Sequence, residues 1–298
     1  METEAVHFSP NGLLLLNIIL AFIMFGISLE LRKEDFTNLL KNAKTSAVGL
    51  IAHFVLLPLL TFALVKLLQP PPAIALGMIL VGSCPGGNMS NMFTHFAKGN
   101  TALAVGLTSV SHVLAIVMTP VNFSFYGSMY KPAIPLLREI HLSPSDVFQT
   151  IALVVGVPLL AGMLLNHYKP QIAAKIQPAM KRFSLIAFMG FIVAAFTGNA
   201  KVFIAGISTI LPLVALHNAA ALTTGYSFAR LLQLDFKDCK TITFETGVQN
   251  SGLGLLLIFT FFNGMSGMAL VAACWGVWHL VTGGALAWYW GRQESVIS

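Results

Sequence analysis

Cys84-Pro85-Gly86-Gly87-Asn88-Met89-Ser90-Asn91 lies inside an apolar segment running from about 73 to 97. Crossing a bilayer takes roughly 20 residues of helix, so the segment is long enough to span one. A simple anchor would not contain this octapeptide. Pro85 has no amide donor, Gly86-Gly87 weakens a helix, and Asn88, Ser90 and Asn91 each need hydrogen-bond partners. Broken backbone is tolerated at membrane depth only where protein buries it or where it lines a polar cavity. The octapeptide therefore predicts an interrupted helix facing the protein interior.

A counterpart stands in the second half: Phe244-Glu245-Thr246-Gly247-Val248-Gln249-Asn250-Ser251-Gly252, again within a long hydrophobic segment. Two interrupted helices in matching places point to a secondary transporter with its ion and substrate sites at the breaks.

Composition agrees. The chain is 56% hydrophobic and 9% charged, against about 25% charged for a soluble domain. The expected class is an all-α polytopic membrane protein. The net charge of +6 reads as cytoplasmic loop anchoring, and no basic stripe is long enough for nucleic acid. Cys84, Cys239 and Cys274 are widely spaced, which fits free thiols rather than a metal or disulfide framework. Glu2 and Glu4 precede the first apolar run with no basic residue, so no secretory signal peptide is expected.

Hydrophobic length predicts nine spans, at about 11–30, 45–68, 72–97, 101–127, 145–168, 182–198, 202–232, 239–262 and 267–291. Of the 17 lysines and arginines, 13 fall on loops after odd-numbered spans. The positive-inside rule then sets the N-terminus outside and the C-terminus in the cytoplasm of a multi-pass cell-membrane protein. Glu30 to Asp35 reads as a solvated cytoplasmic run, and Pro132, Pro135 and Pro144 as marks of an outer turn or short surface segment. Trp288, Tyr289 and Trp290 before Arg292 form an interface belt.

The order helix with His53, interrupted helix, helix recurs as helix with His217, interrupted helix, helix, in opposite orientation. That is an inverted repeat, 4+5 because nine is odd, with spans 3 and 8 the discontinuous pair.

Ten of the 11 acidic residues lie in tails, loops or helix ends; Glu245 alone sits deep in a span. A carboxylate at mid-bilayer costs roughly 3 kcal/mol on insertion scales, so it is expected to face a cavity and meet a metal ion or a proton. Ser90, Asn91, Thr108, Glu245, Thr246 and Gln249 are oxygen-rich, which suits a hard cation. Half-helix N-termini offer amides to an anion, and Asn88 and Asn250 stand ready to donate beside the breaks. His217 with Asn218, and His112, are expected to be buried core groups. Met78, Met89 and Met92 read as packing or lipid-facing residues, and Gly264, Gly267, Gly283 and Gly284 as points of close helix approach.

The two motifs at 84–91 and 245–252, with Val277-Trp278-His279, resemble the bile acid:sodium symporter family over nearly the whole chain. The resemblance implies a core domain of 45–127 and 202–291 around two crossed discontinuous helices, and a panel domain of 11–31 and 145–198. It implies the nine-helix form of the animal bile acid carriers, although the short tails point to a bacterial source. One sodium ion is implied at Ser90, Asn91, Thr108 and Glu245. A second is implied at Glu245, Thr246, Val248 and Gln249. Two positions depart from the family's pattern. Ala104 replaces a serine ligand of the first site, and His53 replaces a glutamine of the second. Neutral imidazole is a poor sodium ligand. The departure implies coupling to one sodium rather than two, or His53 protonation in place of the second. His279 falls near the family's substrate cavity.

The expected function is sodium-coupled symport of an organic anion, a bile acid or a small carboxylate such as pantoate, by alternating access in a monomer surrounded by lipid. Proton-coupled organic anion transport through Glu245 and His53 is the alternative. An intramembrane enzyme is disfavoured because neither HExxH nor GxSxG occurs. A channel differs from a carrier in showing no substrate counterflow.

Overall fold

Proline and glycine decide where the helices of this chain start, widen and stop. The computed structural model describes residues 18, 19, 21–26, 28, 29, 37, 39–139, 149, 152–198 and 200–295. Ten principal helices lie among them. The first four are α1 (Ala43–Leu68), α2 (Pro72–Ser83), α3 (Met89–Phe96) and α4 (Thr101–Met129). Next come α5 (Ala152–Tyr168), α6 (Pro170–Gly198) and α7 (Ala200–Leu231). The last three are α8 (Phe236–Gly247), α9 (Ser251–Phe261) and α10 (Ser266–Ser295). A 3-10 turn at Lys131–Ala133 and a short helix at Ile134–Glu139 follow α4, where Pro132 and Pro135 predict a surface segment; Pro144 lies outside the described residues.

Much of the first predicted span, the run 30–35 and the start of the fifth span also lie outside the described residues. The sixth predicted span, about 182–198, is the second part of the longer α6, which begins at Pro170. A proline lacks the amide that a helix start leaves unpaired, so Pro170 suits the first turn. Among the described residues four helical segments are long and apolar enough to cross a membrane: Ala43–Leu68, Thr101–Met129, Gly206–Leu231 and Ser266–Gln293.

Two helices widen into a π-turn, α1 at Ala52–Leu56 and α5 at Ala152–Gly156. Each π-turn runs up to a proline, Pro58 and Pro158. A helical proline cannot donate to the carbonyl four residues back. For Pro58 that carbonyl belongs to Phe54, and Asn122 Nδ2 donates to it instead at 2.9 Å. Helices α1, α3, α7 and α9 end against left-handed residues, at Gln69, Lys98, Gln233 and Asn263. Such residues close the last turn and satisfy its carbonyls.

The centre is α2. Every residue from Ala73 to Ser83 is buried. A helix apolar on all sides belongs inside a larger assembly, and α2 packs among α1, α4, α9 and α10. Close approach to α10 relies on Gly267, where an added Cβ would stand 2.7 Å from the Ala73 Cβ; Gly264 makes the turn before it at φ 65. Met78 is fully buried and packs, whereas Met92 is exposed.

The helix α8 is the exception that marks the site. Its residues from Cys239 to Gly247 are all buried, yet they include Lys240, Thr241, Thr243, Glu245 and Thr246. Buried polar groups need partners. At its start α8 finds them in the loop between α3 and α4. Lys240 Nζ donates to Ala97 O at 2.8 Å. Asn100 Nδ2 donates to Asp238 Oδ1 at 2.8 Å, and Asn100 N–H to Thr241 Oγ1 at 3.0 Å.

Candidate functional site

The chain between α2 and α3 meets the chain between α8 and α9. Gly87 N–H donates to Val248 O and Asn250 N–H donates to Pro85 O, both at 2.8 Å. These two bonds make an isolated antiparallel bridge centred on Gly86 and Gln249. Sequence reasoning expects two interrupted helices, and the structure joins them at their interruptions.

Helix ends leave carbonyls without intrahelical donors. Here protein groups close them. On the α8 side, Phe244 O accepts from Val248 N, Gly247 O from Asn218 Nδ2 at 2.7 Å, Thr246 O from Gln249 Nε2 at 2.7 Å, and Gln249 O from Ser251 N. On the α2 side, Ser83 O accepts from Thr119 Oγ1 at 2.8 Å. One ring lies against both helices: His53 Nδ1 is 3.1 Å from Glu245 O and Nε2 is 3.0 Å from Cys84 O, and the tautomer decides which carbonyl receives its N–H. The π-turn in α1 carries that ring.

Beside the bridge, the Glu245 carboxylate is buried among hydroxyls. Ser90 Oγ and Thr108 Oγ1 each stand 2.8 Å from Oε2, and Ser111 Oγ stands 3.3 Å from Oε1. Hydrogen bonds to a charged group contribute about 1.5–3 kcal/mol each, which offsets part of the cost of burying the carboxylate. Each hydroxyl also has a second acceptor. Thr108 Oγ1 is 3.0 Å from Asn91 Oδ1, Ser111 Oγ is 2.9 Å from Thr108 O, and Ser90 Oγ is 3.3 Å from Thr108 Oγ1. Rotating the three O–H bonds onto those acceptors leaves each hydroxyl with a lone pair free to face the carboxylate. No heavy atom has to move. The cluster can thus present an oxygen cage to a small cation.

The residues expected at a first cation site, Ser90, Asn91, Thr108 and Glu245, therefore come together. Ser111 joins them and was not anticipated. Its sequence signal is its place one turn beyond Thr108 on an apolar helix. Ala104 is buried on the same helix and supplies no oxygen. One carboxylate among neutral oxygens suits a hard monovalent ion, and among the described residues no three His, Cys, Asp or Glu side chains gather as for a transition metal.

The residues expected at a second site are engaged otherwise. Val248 O is held by the bridge, Thr246 Oγ1 donates to Ile242 O at 2.8 Å, and His53 spans two carbonyls. Gln249 Oε1 is buried without a partner. The two asparagines also differ. Asn250 Oδ1 caps α9 through Leu253 N, and its Nδ2 lies 3.3 Å from His112 Nε2; Asn88 is exposed and caps nothing. His279 is buried with Nδ1 unpartnered. His112, His217 and Asn218 are buried, as expected. His217 Nε2 is 2.7 Å from Thr61 Oγ1, and Asn218 joins Gly247 O to Thr282.

The sodium bile acid symporter family model matches residues 17–206. The chain belongs to the sodium bile acid symporter family. This symporter is 36% identical over 278 residues to "Uncharacterized sodium-dependent transporter YocS" of Bacillus subtilis, covering 93% of this chain and 83% of that one. A match covering 93% of the chain takes in both helix breaks, including the second, which lies beyond the family-model match. It is 33% identical over 275 residues to "Probable sodium/metabolite cotransporter BASS1, chloroplastic" of Arabidopsis thaliana, covering 92% of this chain and 66% of that one. It is 31% identical over 262 residues to the "P3 protein" of Bos taurus, where it spans about half the relative's length, 53%. Two of these names are those of transporters, and this family member is a sodium-dependent transporter rather than an enzyme.

Proposed function

We propose that the protein is a sodium-coupled symporter of an organic anion, with the ion held at Glu245, Ser90, Asn91, Thr108 and Ser111. The observation that carries the reading is the buried carboxylate whose three hydroxyl neighbours each have a second acceptor. A cation there ties α8 to both α3 and α4. The ion is cargo, released when the site opens to the other side.

The anion is recognised close by, at the N-terminal ends of α3 and α9, with Asn88, Asn250 and His279 as the polar groups nearest in role. Exposure of Asn88 supports it as the first contact. Nine membrane spans in a 4+5 inverted repeat, with the N-terminus outside and the C-terminus in the cytoplasm of the cell membrane, complete the proposal. A core domain of 45–127 and 202–291 moves as a unit against a panel of 11–31 and 145–198, in a monomer. Support for movement as a unit comes from the two joints between the broken helices, the bridge at Gly86 and Gln249 and the Asn100–Asp238 contact.

The test is uptake into proteoliposomes of radiolabelled acids, a bile acid and pantoate among them, under an inward gradient of sodium or of potassium. Accumulation above equilibrium with sodium alone, abolished in Glu245→Gln, is expected. Accumulation driven equally well by a proton gradient without sodium would overturn the reading.

A further inference from the structure

The crossing of the two broken helices has oxygens for one cation and not for two. Hard cations take about six oxygen ligands. The Glu245 cluster supplies side-chain oxygens from five residues. Elsewhere at the crossing the carbonyls of residues 83, 84, 85, 87 and 88, and all six from 244 to 249, already face protein partners. What remains on the far side of Glu245 is Gly86 O and Gln249 Oε1, together with the lone pairs of Thr246 Oγ1. Three neutral oxygens fall short of the about six that a hard cation takes.

In place of an ion stands a side chain. The His53 ring is buried and lies between the C-terminal ends of α2 and α8, 3.0 Å from Cys84 O and 3.1 Å from Glu245 O. At those separations no ion fits between ring and carbonyl. The ring is fixed from behind by an edge-on contact with Phe54, at 4.7 Å between centroids, and by the π-turn that Asn122 completes. Half-helix ends carry partial negative charge on their last carbonyls. Two such ends brought together need something positive between them; the neutral ring has one N–H, donates it to one of the two carbonyls, packs against the other, and does not leave when the transport cycle turns.

We propose that this chain carries one sodium ion per cycle, the His53 imidazole acting as a permanent tie, hydrogen-bonded to one half-helix end and packed against the other, in place of a second ion. This rests on the sodium reading of the Glu245 cluster. His53 is a positioning residue and is not cargo-binding.

The experiment is equilibrium binding of radioactive sodium to the purified full-length protein in detergent, with a thermal-stability titration in sodium and in potassium. One ion per chain and a slope near one are expected. Two ions per chain would overturn the inference and leave sodium coupling intact. No bound ion would instead overturn the sodium reading itself. His53→Gln frees both carbonyls and adds an amide oxygen. It should lower the melting temperature in potassium by several degrees and raise the sodium slope above one. An unchanged melting temperature in potassium would overturn the tie. The wild-type ion count stands even if that variant does not fold.

Discussion

The Glu245 carboxylate packs directly on the α-carbon of Gly86, so closely that a β-carbon there would overlap Oε1. The contact explains why the first break needs a glycine beside its proline. Gly86 faces Gln249 across the bridge, and the space where a side chain would begin belongs to the carboxylate.

Gly86→Ala should therefore act on the ion site before it acts on the fold. The added methyl displaces the carboxylate from Ser90, Thr108 and Ser111. Sodium affinity is expected to fall at least tenfold, which corresponds to about 1.4 kcal/mol. Thermal stability in potassium should drop by about 1–3 kcal/mol, the usual cost of overpacking. A variant with normal sodium stabilisation would mean that the carboxylate can bind its ion from another position.

Glu245→Gln keeps the shape and removes the charge. The amide gives up one acceptor and gains donors that face hydroxyls. Sodium-specific stabilisation should vanish. In the wild type that stabilisation should reach about 2.7 kcal/mol when sodium stands at 100 times its dissociation constant. Differential scanning fluorimetry in sodium against potassium measures both.

The hydroxyls should rank by geometry. Ser90 and Thr108 are nearest the carboxylate at 2.8 Å, while Ser111, at 3.3 Å, has a nearer acceptor in Thr108 O. Ser90→Ala and Thr108→Val are expected to weaken sodium binding most. Ser111→Ala should weaken it by a smaller factor, about fivefold for a bond of roughly 1 kcal/mol. Isothermal titration of the three variants gives the order. A Ser111→Ala variant as weak as Ser90→Ala would show that Ser111 turns to the ion as a full ligand.

Thr119→Val separates structure from ion binding. The substitution keeps the shape of the side chain and leaves Ser83 O without its donor. An orphaned buried acceptor costs about 1–3 kcal/mol. Stability should fall by that amount in sodium and in potassium alike, with the sodium slope unchanged. A selective loss in sodium would draw Thr119 into the site.

Part of this arrangement is legible in the chain before folding. Pro85 and two glycines cannot sit in an uninterrupted helix, and Glu245 cannot sit in an apolar one without a purpose. The second break is less marked: α8 runs through Glu245 and stops only after Gly247, with no proline to end it. Ser111 is not distinguished in sequence from Ser109, two residues away in the same helix. Ser109 spends its hydroxyl on Val105 O, and only the packing of α4 on α8 separates the two roles. In sequence His53 reads as a poor sodium ligand. Its bridging role needs the π-turn before Pro58 and two carbonyls from distant helices, and no local pattern encodes those. Asn88 and Asn250 look alike in sequence, yet Asn250 is engaged in capping α9.

The crossing also bears on how the protein is made. Ser90 and its carboxylate partner are 155 residues apart in the chain. Ribosomes add about 5–20 residues per second, so the first break waits on the order of 10–30 s before the second emerges. During that interval Ser90 and Asn91 have Thr108, made 17–18 residues later, but lack the carboxylate. Completion of the site is thus a late event in biogenesis, set by translation, and truncated chains ending before Glu245 should be the ones that quality control removes.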